Sequence, residues 1–115
     1  MACERGDSTV VALLEEASRR GVPVMTSSGC VAQAWRSGGP RQALLVRTLR
    51  GVDEQALDRG ASRVVGGLLA QSGTSDVVDA HVAVLATGGM IVTSDQTDLR
   101  RLLDAGGIEA EIEPC

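Results

Sequence analysis

This sequence predicts an α/β fold, a parallel sheet flanked by helices on both faces, in a single domain over residues 1–115. Three observations predict it. Helical patterns alternate with short apolar runs along the whole chain, the order that lays helices over parallel strands. The chain is 115 residues long, near the common domain size and sufficient for a core without covalent staples. No internal repeat or low-complexity linker interrupts the alternation.

The elements follow in order. Asp7 or Ser8 can cap a first helix with Val10, Val11, Leu13, Leu14 and Ala17 on its apolar side. Gly21 stops it, just after Arg19 and Arg20 have complemented the negative end of its dipole. Residues 22–26 read as a short buried strand. Ser27 and Ser28 can cap a second helix that runs through Arg36 and ends at Ser37, Gly38 and Gly39. Pro40 is placed to begin a third, with Leu44, Leu45 and Leu49 apolar and Arg41, Arg47 and Arg50 polar. Residues 51–57 hold a short strand or turn around Val52. Residues 58–70 are helical, Gly66 and Gly67 permitting close packing. Ser75 caps the next helix, residues 90–93 form a strand, and residues 97–105 form the last helix, broken by Gly106 and Gly107. Over residues 108–112, Ile108, Ala110 and Ile112 point inward and Glu109 and Glu111 outward, an edge-type strand.

Composition narrows the chemistry. The apolar fraction is 43%, with no Phe or Tyr and a single Trp, so Val, Leu, Ile and Ala must build the core and base stacking has little to draw on. Met25 and Met90 read as core residues, and Trp35 as a helix-packing residue. Net charge is -4, which argues against strong non-specific nucleic-acid binding. All eleven basic residues are Arg, several of them between Arg36 and Arg63, so a basic face is still available. Cys3, Cys30 and Cys115 lie far apart and form no zinc-type spacing, a pattern suited to a reducing cytoplasm. No signal peptide and no membrane-length apolar run are present.

The densest chemistry lies in TSDVVDAHVAVLATGGMIVTSDQTDL, residues 74–99. Asp76 and Asp79 stand three apart at one helix start, Asp95 and Asp98 three apart at the next. Ligand sites of α/β proteins gather where strands end and helices begin, so these acids could meet across one crevice. Crowded carboxylates need a cation, and oxygen donors favour Mg²⁺ or Mn²⁺. The plainer reading is that acids in a first helical turn cap it or offset its dipole. That reading serves well for Asp76, less well for Asp79, which lies deeper between Val78 and Ala80. His81, the only histidine, reads as a packed or surface residue beside these acids rather than as a general base.

VVDAHVAVLA (residues 77–86), IVTSDQTDL (91–99) and CVAQAWRSG (30–38) together resemble three motif segments of the PIN domain family, in particular the VapC-like toxin ribonucleases. The resemblance spans nearly the whole chain in element order. It implies a PIN-like parallel sheet and a hydrolase that cuts RNA phosphodiester bonds with Mg²⁺ or Mn²⁺. Carried over, Asp79, Asp95 and Asp98 are the metal ligands and catalytic acids, and Asp76, Thr93, Ser94 and Gln33 orient a ligand or the attacking water. Arg36, Arg41 and Arg47, with Arg50, are the expected phosphate contacts. An antitoxin protein, homodimerisation through the region around residues 40–50 and a bacterial cytoplasmic setting are also implied.

Two departures accompany the resemblance. The family opens with a central strand ending in its first catalytic Asp, whereas this sequence begins inside the helix that follows, so the first central strand is missing. Gln33 stands where most members carry a second acid, and a neutral amide cannot neutralise a cation. The alternative is therefore a catalytically impaired PIN-like remnant acting as a protein- or RNA-binding module. An unrelated doubly wound regulatory domain ranks below both, since such domains use a lysine and this chain has none.

Overall fold

The computed structural model describes residues 7–36, 40–93 and 96–114, with backbone alone at residues 7–11, 40–42, 44 and 45. Six helices and four short strands alternate among them. They are α1 (Asp7–Arg20), β1 (Met25–Ser27), α2 (Ser28–Trp35), α3 (Pro40–Leu49), β2 (Asp53–Gln55), α4 (Arg59–Ser72), α5 (Val77–Leu85), β3 (Met90–Thr93), α6 (Thr97–Gly106) and β4 (Glu111–Pro114). The α/β class is as the sequence predicts.

Local chemistry sets most boundaries. Asp58 caps α4, its Oδ1 accepting from the Ala61 N–H at 2.8 Å. Gly73 ends the helix with φ 68°, a left-handed conformation that a side chain would strain, and its N–H returns to the Leu69 carbonyl. Asp76, not Ser75, caps α5 by accepting from the Asp79 N–H at 2.9 Å. The shorter reach from Asp76 to the third helical amide explains the difference. Pro40 opens α3, as its fixed φ favours.

The strands begin later than their apolar runs. β1 starts at Met25 rather than Val22, because Pro23 has no N–H to donate and the first bond to β2 is Asp53 N–H to the Val24 carbonyl at 2.8 Å. The last strand begins at Glu111 rather than Ile108. The predicted alternation still holds in burial: Ile108, Ala110 and Ile112 are half-buried against the core while Glu109, Glu111 and Glu113 are exposed.

One core holds the C-terminal half together. Val65 and Leu68 of α4, Ala80 and Ala83 of α5, Ile91 of β3, and Leu99, Leu102 and Leu103 of α6 are buried in a single cluster. The three helices pack on one another, and Ala80 and Ala83 let α5 approach closely. Glycine serves close approach elsewhere than predicted. Gly66 and Gly67 face open space, whereas a Cβ on Gly106 would lie 2.8 Å from Leu68 Cδ1, and one on Gly29 would lie 2.7 Å from Val78 Cγ2. Gly29 is thus where α2 meets α5, and Gly106 where α6 meets α4.

The sheet departs most from expectation. Among the described residues β1 pairs with β2 and β3 with β4, each in parallel register: Met25 opposite Asp53, and Met90 opposite Glu111. No described strand of one pair bonds a strand of the other, so in place of the expected single sheet the described strands form two separate ribbons. Met25 and Met90, expected in the core, are 45% and 51% exposed, and Trp35 is exposed as well. Both methionines begin a strand at the rim of a narrow ribbon, and a two-stranded ribbon has no neighbour to cover them.

Candidate functional site

α5 is the element that positions the candidate acids, and a buried polar bond anchors it. Ser27, the last residue of β1, caps α2 by accepting from the Gly29 N–H at 3.1 Å. The same Oγ lies 2.7 Å from His81 Nδ1 on α5, with Ser27 1% and His81 2% exposed. After accepting from Gly29 the Ser27 hydroxyl keeps its proton and a second lone pair, so it can pair with either neutral tautomer of His81. Burial lowers the His81 pKa below its ordinary value, and the negative charge of Asp58 opposes this more weakly. A neutral imidazole therefore ties α5 to the carboxyl end of β1. Sequence reading left His81 as a packed or surface residue and Ser27 with Ser28 as candidate caps, and missed that Ser27 and His81 meet. The separation of 54 positions leaves no local signal.

Asp79 sits in the first turn of α5, half-buried, with its backbone N–H held by the Asp76 carboxylate. Asp76 is exposed and serves as the cap, so the plainer reading of that residue is the one its geometry supports. Asp98 occupies the first turn of α6 and is half-buried. Gln96 precedes that helix and makes no side-chain cap bond to it. Thr93 closes β3 and is buried. Ser94 and Asp95 lie outside the described residues. Asp79 and Asp98 therefore stand on two helix starts whose helices pack together.

The donor chemistry fits a hard cation, since carboxylate oxygens are the ligands Mg²⁺ and Mn²⁺ prefer. Among the described residues, no three His, Cys, Asp or Glu side chains gather closely enough to hold a metal. Gln33 is exposed on α2. Arg36 and Arg47 are exposed, and the Arg41 side chain lies outside the described residues. A second polar cluster, unforeseen in the sequence, sits where β1 meets α2: Ser28 Oγ donates to Glu54 Oε2 at 2.8 Å, and Gln55 Nε2 to Asp53 Oδ2 at 2.7 Å.

Clefts open on the described surface, two of them between its helices and strands. One of about 390 Å³ lies over α4 and α6, lined in part by Arg63, Val64 and Gln71. The other, about 990 Å³, is lined by Val22, Met90, Arg100, Leu103 and Glu111 among others. Neither is lined by Asp79 or Asp98. Among the described residues no helix is long and apolar enough to cross a membrane. Compared with protein-family models, with curated proteins and with solved structures, the chain matches none.

Proposed function

We propose that this protein is a metal-dependent endoribonuclease of the PIN type, the toxin of a toxin–antitoxin pair acting on RNA in the bacterial cytoplasm. The observation that carries the reading is the placement of Asp79 and Asp98, half-buried, in the first turns of two helices that pack together. Partial burial strengthens the attraction of a carboxylate for a cation relative to open water. Asp79, Asp95 and Asp98 would hold Mg²⁺ or Mn²⁺. The ion, when bound, supplies charge stabilisation at phosphate oxygens and a water of lowered pKa.

The chain's own groups have separate tasks. Asp76 holds the Asp79 amide and so fixes the turn that presents the carboxylate. Ser27 and His81 hold the helix against β1, limiting its movement during substrate binding. Exposed Arg36 and Arg47 offer forked donors to the phosphodiester backbone. An antitoxin would cover the surface that carries Asp79 and Asp98, and the α3 surface would serve a homodimer.

Cleavage of a mixed RNA in Mn²⁺, with Asp79→Asn alongside, tests the proposal. Loss of cleavage in a variant with unchanged circular dichroism is the expected result. Absence of Mn²⁺-dependent cleavage by the folded wild-type chain would overturn it. The second reading, a catalytically impaired module that binds protein or RNA, draws on one observation: the described acids do not gather in threes. RNA retained in a gel-shift assay without cleavage would favour it.

A further inference from the structure

Charge is sorted along this chain, and the fold keeps the two signs apart. Residues 28–52 hold four arginines and no acid, and residues 102–114 hold four acids and no base. Among the described residues the ion pairs are those of Glu16 with Arg19 and Arg20. Arg36, Arg47 and Arg50 form none, nor do Asp104, Glu109 and Glu111.

Each charged set borders exposed apolar surface. Asp104, Glu109 and Glu111 line the cleft of about 990 Å³, together with Val22 and Met90, which are 54% and 51% exposed. Arg100 lines it too, 3.5 Å from Gln96 Oε1, and the three carboxylates outnumber it. The arginines stand on and just beyond α2 and α3, two helices that pack together, near the exposed side chains of Trp35 and Val46. Trp35 is the only aromatic residue of the chain, yet it is 44% exposed. Tryptophan and arginine are the side chains most enriched where proteins bind one another, and a buried Trp covers roughly 150–250 Å².

We propose that the cleft beside α6 and β4 is the docking site for the α2–α3 surface of a second copy of this chain. Trp35 and Val46 of one copy would cover Val22 and Met90 of the next, with Arg36, Arg47 and Arg50 facing Asp104, Glu109 and Glu111. Opposite charge selects this occupant, since complementary surfaces steer the encounter and set its specificity while apolar burial supplies affinity. Two different surfaces meet, so the contact is heterologous and extends into a ring or a chain of copies. The cleft is thereby the mate of the α3 surface given above to self-association, and its assignment rests on that part of the proposed function alone. Docked copies and RNA would compete for Arg36 and Arg47.

Sedimentation velocity of the full chain over a concentration series, at low and high salt, reads the association, and Trp35 emission reads its burial. The expected result is association that weakens at least about tenfold from low to high salt, with emission moving to shorter wavelength as copies dock. Two α3 surfaces facing each other would bring arginines together, and that contact would tighten with salt instead. Glu109→Arg with Glu111→Arg should stay monomeric alone, as should Arg47→Glu with Arg50→Glu, and an equimolar mixture of the two variants should associate again. A folded Glu109→Arg, Glu111→Arg variant that associates like wild type would overturn the cleft and leave the α3 homodimer standing. Undiminished association of the arginine variant would overturn both, as would a wild-type chain that is monomeric throughout. Folded variants that fail to associate on mixing would overturn the docking. Should circular dichroism show a variant unfolded, wild type alone decides: association that tightens with salt, or ignores it, overturns the docking.

Discussion

Replacing Ser27 by Ala strikes two functions of one oxygen. The hydroxyl caps α2 through the Gly29 amide and supplies the bond to His81 Nδ1. Loss of a Ser cap costs about 0.5–2 kcal/mol. A buried ring nitrogen left without a partner costs about 1–3 kcal/mol. The two effects share one atom and one locus, so together they should cost roughly 2–4 kcal/mol, a large part of a typical total stability of about 5–15 kcal/mol. Urea unfolding of wild type, Ser27→Ala, His81→Ala and the double variant separates them. The coupling energy of the cycle should be on the order of 1 kcal/mol or more. Coupling near zero would refute the bond as a determinant of the fold.

The same pair fixes a direction with pH. The folded-state pKa of His81 lies below its ordinary value, so the unfolded chain binds the extra proton more readily. Its contribution to stability is complete above the ordinary value of 6.5 and is lost as pH falls from there toward the lowered folded value. Wild type should therefore lose more stability between pH 7 and pH 5 than His81→Ala does. Equal slopes would refute the assignment of a buried neutral imidazole.

Other outcomes follow from single contacts. Leu102→Ala empties a fully buried position at the centre of the α4–α5–α6 core, and should cost about 2–5 kcal/mol in denaturant unfolding. Asp58→Ala removes the α4 cap, with an expected loss of about 1 kcal/mol. It also removes the charge that raises the His81 pKa, so by NMR titration that pKa should fall further.

Much of the fold was legible because its causes are local. Pro40 and the alternation from Ile108 to Ile112 act on backbone within a few residues, and each does in the structure what its residue type favours, whereas the helix read over residues 58–70 runs instead from Arg59 to Ser72 between its Asp58 and Gly73 caps. The misplaced boundaries are local as well: Pro23 delays β1, and Asp76 rather than Ser75 reaches the α5 amide. The candidate acids were legible as helix-start residues, and Asp79 and Asp98 are that. Their chemistry was not legible in the same sense, because ligand grouping depends on distances between separate helices.

By itself the sequence determined the order of helices and strands and the α/β class, since those follow from periodicity and short-range propensities. Only the tertiary structure decided that Ser27 meets His81, that Gly29 and Gly106 rather than Gly66 and Gly67 allow close packing, and that the described strands pair as two separate ribbons. Each of these depends on which surfaces meet across tens of residues. Residue type alone carries no record of that meeting.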